Sequence, residues 1–347
     1  MNAGLAADLR GRIARDGPMP VADWMAACNA AFYAHAPGPG RDFATAPEIA
    51  QAFGELLGLW AAELWQRAGA PDGVRLVELG PGRGTLMADA LRTAARFGFE
   101  PAAVELVETS RALRGEQGAR IAAARWHGSL AEVPDGNAVI VLANEFLDAL
   151  PVRQFVRVGD RWHERCIGLA EDSFAPVAGP PVDLSGLPPD LAGAPDGAIL
   201  ERGEAAAGLV AGLARRLARD GGAALLIDYG HAGPALGETL QAVRSGARAD
   251  PFAAPGEVDL SAHVDFAALA DAARAAGCAV HGPLPQGVLL ERLGIRQRTD
   301  VLAAANPAAA ARLKAAAVRL TAPEQMGALF KALAITSPGW PAPAGFA

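Results

Sequence analysis

Cysteine is scarce in this chain of 347 residues, and the few present exclude several kinds of site. The three cysteines, Cys28, Cys166 and Cys278, are far apart and odd in number. None belongs to a Cys-x-x-Cys pair or to a Cys/His cluster with the spacing of metal ligands. We therefore expect three buried free thiols in a protein of a reducing compartment, and no metal site.

Lysine and net positive charge are also lacking. Lys314 and Lys331 are the only lysines among 31 basic residues, and the formal net charge is −7. A general nucleic-acid-binding protein needs a basic face, so this charge balance argues against that class.

Long apolar runs are missing as well. No window of about 18 residues is both apolar and uncharged, so we predict no membrane-spanning helix. The N-terminal segment carries Arg10, Arg12 and Arg15 beside acidic residues and lacks the apolar stretch of a signal peptide. We predict an amphipathic helix there, in a cytoplasmic bacterial protein.

What is present is an alternation of short apolar runs with helical patterns, which is typical of a parallel sheet buried on both faces. We predict strands at 74–79, 103–107, 139–143, 223–227 and 329–335, and helices at 5–15, 21–34, 47–67, 84–97, 110–120, 203–219, 264–276 and about 307–320. Residues 152–167 predict a β-hairpin that turns at Gly159-Asp160. Residues 176–198, rich in proline and glycine, predict a surface excursion.

The most specific chemical signal is a glycine-rich loop between a predicted strand and a predicted helix, Val77-Glu78-Leu79-Gly80-Pro81-Gly82-Arg83-Gly84-Thr85. Gly80 and Gly82 allow a nucleotide-like ligand to approach the backbone, and Gly84 lets the helix begin against the strand. Thr85 stands where a dinucleotide fingerprint has its last glycine, and the lysine of a Walker loop is missing. The remaining pattern, Glu-x-Gly-x-Gly-x-Gly, is typical of class I S-adenosyl-L-methionine sites, and the alternative is a purely structural turn.

Further segments follow other predicted strands and converge with this loop, because ligands of open α/β sheets bind beyond the carboxyl ends of the strands. Glu108, at the end of the next strand, is a candidate to accept both ribose hydroxyls. The other candidate cofactor-binding residues are Thr109, Asn144 and, at the adenine edge, Gly128, Ser129 and Leu130.

Longer motifs extend the pattern along the chain: DFATAPEI at 42–49, FGELLGLW at 53–60, VELGPGRGTLM at 77–87, ANEFLDALPV at 143–152, IDYG at 227–230, DLSAHVDF at 259–266 and MGALFK at 326–331. In these motifs and their order the sequence resembles the MidA-like family of class I methyltransferases, which includes the mitochondrial complex I assembly factor. The resemblance implies an α/β Rossmann-like fold with a mostly parallel seven-stranded sheet. It also implies S-adenosyl-L-methionine as cofactor and, as acceptor, an arginine of the hydrogenase-like large subunit of respiratory complex I.

The domain organisation that we predict follows from the same resemblance. An N-terminal helical cap would cover 1–70 and a methyltransferase domain 71–338, with a β-hairpin insertion at about 152–200 and a loose tail at 339–347. The family usually carries Arg-Asp-Pro-Phe in a longer loop before the TAPEI motif, and residues 34–43 of this chain lack it.

We predict that a pair of carboxylates orients the acceptor arginine and helps it to lose a proton. A guanidinium is protonated in water, so the site must orient it and accept a proton as its nitrogen attacks. Glu145 and Asp148 follow the fourth strand and are the candidate catalytic residues, together with Asn144. Their alternative role is to cap the N-terminus of a helix.

The candidate substrate-binding residues are Thr45, Glu48, Asp228, Tyr229 and His263. Thr45-x-x-Glu48 also has the spacing of a helix capping box, and a lone histidine is more often structural than catalytic.

The predicted function is S-adenosyl-L-methionine-dependent methylation of a protein arginine. A cofactor-binding assembly chaperone without turnover stays open as the alternative, because of the shortened loop at 34–43. Thr85 argues against a dinucleotide oxidoreductase, and the lack of Gly-x-Ser-x-Gly argues against a serine hydrolase. The oligomeric state is open, and a homodimer is one outcome.

Overall fold

The fold is built around a central sheet with helices on both faces. The computed structural model describes residues 3–35, 45–171, 173–184, 187–188, 191, 193–244 and 246–346. The strands are β1 (Met19–Pro20), β2 (Arg75–Leu79), β3 (Ala103–Val107), β4 (Ala124–His127), β5 (Val139–Asn144), β6 (Arg153–Val158), β7 (Arg161–Ala170), β8 (Ser173–Val182), β9 (Ile199–Arg202), β10 (Gly222–His231), β11 (Gln241–Arg244), β12 (Ala247–Ala249), β13 (Asp259–Ser261), β14 (Val264–Asp265), β15 (Ala279–Pro285) and β16 (Phe330–Thr336). The helices are α1 (Ala3–Asp16), α2 (Val21–His35), α3 (Ala46–Ile49), α4 (Gln51–Arg67), α5 (Thr85–Arg96), α6 (Arg111–Arg120), α7 (Glu204–Asp220), α8 (Phe266–Ala275), α9 (Gln286–Arg292), α10 (Ile295–Ala305) and α11 (Ala310–Thr321).

The main path of the central sheet has seven strands in the order β15-β16-β10-β5-β2-β3-β4, and the short β14 pairs with β10. Strands β4, β3, β2, β5 and β10 are mutually parallel, and β16 is antiparallel to both of its neighbours. All six residues of β5 are buried, as expected for a strand covered on both faces. The predicted α/β fold with a mostly parallel seven-stranded sheet is confirmed.

The register of this sheet brings the carboxyl ends of its parallel strands together. Leu79 pairs with Val107 on one side and with Ala143 on the other. Asn144, one residue further along β5, pairs with Ile227 of β10. The residues that follow β2, β3, β5 and β10 therefore lie along one edge of the sheet.

Apolar layers cover both faces of the central sheet. Phe53 and Trp60 of α4 pack with Leu76 on one face, and Val210 and Phe266 pack on the other. Helix α4 also packs very close to α5. A Cβ on Gly58 of α4 would lie 2.3 Å from the carbonyl oxygen of Ala90 on α5. Glycine at this position permits that approach.

A second sheet has the order β1-β7-β6-β9, with β8 paired to β7. The predicted β-hairpin is confirmed as β6 and β7, which turn at Gly159-Asp160. Helices α1 and α2 pack against this region, where Leu9 and Trp24 share an apolar cluster with Ile167. A three-stranded sheet, β12-β11-β13, lies next along the chain.

Several predicted elements differ from the structure. The predicted helix 47–67 is interrupted, because Ala50 is extended (φ −144°, ψ 117°) between α3 and α4. The predicted surface excursion at 176–198 is wrong for residues 176–182, which continue β8, and for Leu191, which packs with Trp162. Pro-rich sequence is compatible with β8 because a strand at the edge of a sheet leaves some N–H positions unused.

The C-terminal region holds more structure than the pattern predicts. Strand β15 and helices α9 and α10 have no counterpart among the predicted elements. Residues 339–346, predicted as a loose tail, contact the core through Trp340 and Phe346. The carbonyl oxygen of Ala342 accepts a hydrogen bond from Arg67 at 2.9 Å.

Cys28, Cys166 and Cys278 are buried free thiols, as predicted. No helix within the described ranges is long and apolar enough to cross a membrane. Among the same residues, no group of three or more His, Cys, Asp or Glu side chains has the arrangement of a metal site. The shortened loop at 34–43 lies mostly outside the described residues, which resume at Thr45.

Candidate functional site

The loop between β2 and α5 follows a path that glycine adopts most easily. Gly80, Gly82 and Gly84 have φ values of 63°, 53° and 78°, in the left-handed region. A Cβ on Gly80 would lie 2.6 Å from the ring of Phe146, so packing requires glycine there too. The carbonyl oxygen of Pro81 accepts the N–H of Gly84 at 2.7 Å, which closes the turn before α5.

Glu78 lies just before this loop with a buried and unsatisfied carboxylate oxygen. The residue is 3% exposed, and its Oε2 atom has no hydrogen-bond partner among the described residues. Burial and the nearby Glu108 carboxylate raise the pKa of Glu78 to about 8, against a hydrogen bond from the Met87 backbone that lowers it. Because an unpaired buried acceptor is costly, Glu78 suits a ligand that brings a positive charge or an N–H donor.

Glu108 follows β3 and lies next to the glycine loop. Its Oε1 accepts the Ser110 N–H at 2.8 Å, and its Oε2 accepts the Gln117 side-chain amide at 3.3 Å. Burial raises the pKa of Glu108, and these donors oppose the shift. Gln117 also donates to the Gly82 carbonyl oxygen at 2.6 Å, so it joins the two segments. Sequence reasoning missed Gln117, because one glutamine on a helix gives no signal.

The predicted adenine edge lies after β4. The Gly128 N–H and the Ser129 hydroxyl both donate to the Glu132 carboxylate, at 2.8 and 3.1 Å. Leu130 is partly buried against the core, and Thr109 is exposed beside Glu108. These residues lie at the same edge of the sheet, since β4 pairs with β3.

Glu145 is the first residue after β5 and has a backbone conformation that is uncommon outside glycine, with φ of 52°. Its Oε1 accepts the backbone N–H of Ala46 and the side-chain amide of Asn144, both at 2.9 Å. Burial raises the pKa of Glu145. The Asn144 Oδ1 atom is buried and has no partner within the described part of the chain.

Asp228, near the carboxyl end of β10, holds the turn that follows β5. It is 1% exposed. Its Oδ2 atom accepts the backbone N–H groups of Phe146, Leu147 and Asp148 at 3.1, 2.9 and 3.1 Å. Its Oδ1 atom accepts the Tyr229 N–H at 2.9 Å. The carboxylate predicted to bind substrate is therefore engaged with the backbone.

Asp148 lies on that turn, and its side chain is partly buried. Burial raises the pKa of Asp148 to about 6, the Glu145 carboxylate adds to the shift, and a hydrogen bond from the Tyr229 hydroxyl opposes it. The ring of His263 packs edge-on against Tyr229, with 5.5 Å between centroids. Burial lowers the pKa of His263, which favours its neutral form.

Glu48 lies on α3, beside the glycine loop, and Thr45 is the residue just before this helix. Thr45 makes no side-chain cap, so the capping box that the spacing also allowed does not form. The Glu48 Oε1 atom instead accepts the Thr85 hydroxyl at 2.5 Å, and Arg120 donates to the same hydroxyl at 2.7 Å. Helix α3 thus contacts the glycine loop through Glu48 and the turn after β5 through Ala46.

Two residues of α2 that sequence reasoning missed also reach this edge. The Asn29 side-chain amide donates to the carbonyl oxygens of Ala149 and Leu260, at 2.9 and 2.8 Å. The Tyr33 hydroxyl donates to Asp259 Oδ1 at 2.7 Å. Neither contact has a local signal, because each joins residues far apart in the chain.

Comparison with known proteins identifies one family. A family model described as S-adenosyl-L-methionine-dependent methyltransferase matches residues 56–284. The chain is 36% identical to the mitochondrial protein arginine methyltransferase NDUFAF7 homolog of Drosophila melanogaster, over 96% of this chain and 85% of that protein. It is 33% identical to mitochondrial protein arginine methyltransferase NDUFAF7 of Danio rerio, over 95% of this chain and 86% of that protein.

A solved structure with the same fold carries a bound ligand. It is a Burkholderia thailandensis protein in complex with S-adenosyl-homocysteine, and it superposes with a TM-score of 0.84 at 28% sequence identity. The match covers 99% of this chain and 94% of that one.

Proposed function

The chain belongs to this family of S-adenosyl-L-methionine-dependent methyltransferases, and from that premise we propose that it methylates an arginine side chain of a protein. The observation that carries the proposal is the pair of partly buried carboxylates, Glu145 and Asp148, at the sheet edge that holds the glycine loop. The acceptor we propose is the hydrogenase-like large subunit of respiratory complex I, which the family resemblance implies.

The residues present fit S-adenosyl-L-methionine. When bound, this cofactor supplies an electrophilic methyl group on a sulfonium centre. The unpaired Glu78 Oε2 atom would meet its cationic amino-acid end, and Glu108 would accept its ribose hydroxyls. The loop from Gly80 to Gly84, with its three left-handed glycines, would lie against it.

Glu145 would orient the acceptor guanidinium. Its Oε1 atom is engaged by Ala46 and Asn144, and its Oε2 atom accepts no hydrogen bond from the residues described. One oxygen is therefore left for one guanidinium N–H, and the Asp148 carboxylate would take a second. Two carboxylates on a planar, five-donor group fix its orientation.

Asp148 would accept the proton that the attacking guanidinium nitrogen loses. With a pKa of about 6 it is mostly ionised at pH 7, yet it is a stronger base than an ordinary aspartate. Asp228 would position this group through the backbone of its turn.

The remaining predicted residues would hold the segments that bind the cofactor and the acceptor arginine. Glu48 would hold the glycine loop through Thr85, with Thr45 at the start of the same helix. His263 would pack behind Tyr229 as a neutral ring.

Label transfer tests the proposal. The full chain would be incubated with methyl-tritiated S-adenosyl-L-methionine and the isolated complex I large subunit, and the protein would then be hydrolysed to amino acids. We expect tritium in methylarginine with the wild-type chain, and about a hundred-fold less or lower still with Glu145→Gln, the range for loss of a group that orients a reactant. Calorimetry would show that the variant still binds the cofactor.

Label in another amino acid would contradict arginine as the acceptor. Saturable cofactor binding by the wild type with no label in the subunit would favour the assembly chaperone instead.

A further inference from the structure

The turn after β5 is held by hydrogen bonds on both its N–H groups and its carbonyl oxygens. Three of its backbone N–H groups donate to the Asp228 carboxylate. The carbonyl oxygen of Asp148 accepts the Ala262 N–H at 3.0 Å. The next carbonyl oxygen, that of Ala149, accepts the side-chain amide of Asn29 at 2.9 Å. The backbone on each side of the Asp148 side chain therefore has a partner in a distant segment.

Asn29 makes three hydrogen bonds from a buried position. It is 5% exposed. Its Nδ2 atom donates to the carbonyl oxygen of Leu260, at 2.8 Å, as well as to that of Ala149. Its Oδ1 atom accepts the Leu260 N–H at 3.2 Å. Because a buried amide is costly unless it is paired, these bonds fix the orientation of the side chain. Asn29 thus joins α2, the turn after β5 and strand β13 at one point.

We propose that Asn29 is a positioning residue, which holds the turn after β5 so that Glu145 and Asp148 keep the placement that receives the acceptor guanidinium. The inference rests on the proposed function of these two carboxylates. It adds a residue of α2 that acts on them through the backbone of Ala149.

Helix α2 has a separate attachment to the rest of the molecule. Trp24 is fully buried and shares an apolar cluster with Val152 and Leu260. Its Nε1 atom donates to the carbonyl oxygen of Pro251 at 3.1 Å. The attachment of α2 therefore has a large apolar contribution that Asn29 does not supply. What Asn29 adds is a bond to the turn itself.

A small displacement of this turn would be enough to slow methyl transfer. A misplacement of about 1 Å in a reacting group can cost about a hundred-fold in rate. Asp148 and Ala149 are consecutive residues, so loss of the Asn29 bond would loosen the backbone that carries the Asp148 carboxylate. Within the described part of the chain, the hydrogen bonds of the Asn29 side chain go to Ala149 and Leu260 and not to the glycine loop. Cofactor binding should therefore be unaffected.

Hydrogen–deuterium exchange of the full chain, read by mass spectrometry, tests the structural step. Leucine resembles asparagine in size but has no hydrogen-bonding group in its side chain, so Asn29→Leu removes the link. We expect faster exchange in peptides that cover residues 145–150, and unchanged exchange in peptides that cover the glycine loop at 80–84. Asn29→Ser can keep one of the two carbonyl contacts. It should show the same change to a smaller extent, and it serves if Asn29→Leu does not fold.

Kinetics test the functional step, at a temperature where circular dichroism shows each variant to be fully folded. In Asn29→Leu we expect kcat for arginine methylation to fall about ten-fold or more, with an unchanged KM for S-adenosyl-L-methionine. A purely structural role of Asn29 would lower the unfolding free energy and leave kcat of the folded protein at the wild-type value.

Trp24→Phe is the matched control, because it weakens the same helix and removes a donor to a backbone carbonyl, that of Pro251, which lies outside the turn. We expect a lower unfolding free energy in this variant, with kcat and the exchange of the turn as in the wild type. Unchanged exchange at the turn or unchanged kcat in folded Asn29→Leu would overturn the proposal. Equal losses of kcat in Asn29→Leu and Trp24→Phe would also overturn it.

The exchange experiment separates this proposal from the proposed function, because it needs no acceptor. Faster exchange of the turn in Asn29→Leu, together with no arginine methylation by the wild type, would refute the proposed function and leave the hold of Asn29 on the turn supported.

Discussion

The Glu145 carboxylate accepts the backbone N–H of Ala46 at 2.9 Å, which joins the start of α3 to the turn after β5. The same helix contacts the glycine loop through Glu48 and Thr85. One short helix therefore contacts both the glycine loop and the turn that carries Glu145. Substitutions at Glu145 should separate its chemical role from this structural one.

Glu145→Gln keeps an oxygen that can accept the Ala46 N–H, whereas Glu145→Ala does not. We expect both variants to lose arginine methylation, because neither has a carboxylate for the guanidinium. Chemical denaturation should show little change in the unfolding free energy for Glu145→Gln and a loss of about 1–3 kcal/mol for Glu145→Ala. Equal destabilisation by the two variants would contradict the Ala46 contact.

Glu78 should link cofactor binding to proton release. Its pKa of about 8 means that it is largely protonated at pH 7 without ligand, and a bound positive charge favours the ionised form. Calorimetric titrations with S-adenosyl-L-methionine in buffers of different ionisation enthalpy should reveal this proton. In Glu78→Gln we expect the buffer dependence to vanish and the Kd to rise about ten-fold. A buffer dependence unchanged in the variant would assign the proton to another group.

The Glu78 carboxyl group should also make the unfolding free energy depend on pH. The pKa of Glu78 is raised from 4.5 to about 8 on folding, so its contribution to the unfolding free energy is complete below pH 4.5 and is lost as pH rises towards 8. Glu78→Gln should flatten the decline of unfolding free energy across that interval, in denaturation curves recorded without cofactor. A steeper decline in the variant would refute this sign.

Gly80 combines a left-handed backbone with close packing, and Gly98 offers a matched control. Gly98 has a φ of 76° but open space where a Cβ would stand, whereas a Cβ on Gly80 would meet Phe146 at 2.6 Å. We expect Gly98→Ala to cost about 1 kcal/mol of unfolding free energy, from backbone strain alone. Gly80→Ala should cost about 2–4 kcal/mol and weaken cofactor binding. If Gly80→Ala and Gly98→Ala changed the unfolding free energy and cofactor binding to a similar extent, the packing argument would be contradicted.

Asp228 should matter for stability as well as for catalysis. Asparagine has one oxygen in place of two, so Asp228→Asn would set an NH₂ group against backbone N–H donors of Phe146 to Asp148 or of Tyr229. We expect a loss of about 2–3 kcal/mol in thermal or chemical unfolding, together with a lower kcat. Asp265→Asn is the control, because Asp265 caps α8 through one oxygen that asparagine retains. Comparable losses in both variants would argue against the special role of Asp228.

The sequence predicts which segments meet beside the glycine loop, because the signals for that loop and its strands are local. The glycine loop follows β2 within a few residues, and the parallel order of strands then brings Glu108 and Asn144 to the same edge. The hairpin at Gly159-Asp160 is local in the same sense.

The region around the turn after β5 depends on contacts between distant segments, which no local pattern reports. Asp228 meets a turn some eighty residues earlier, and Tyr33 meets Asp259 across most of the chain. Thr45-x-x-Glu48 has the spacing of a capping box, yet tertiary contact with Thr85 prevails over the local cap. Strand β15 was missed because its short run, interrupted by glycine and prolines, gives a weak strand pattern.

The most direct measurement of the central claim is tandem mass spectrometry of the complex I large subunit after incubation with the full chain and trideuteromethyl S-adenosyl-L-methionine. We expect the deuterated methyl group on the side chain of an arginine, with the wild-type chain and not with Glu145→Gln. A deuterated methyl group on lysine or on a carboxylate, after incubation with the wild-type chain, would contradict the claim. So would the absence of any deuterated methyl group from this subunit.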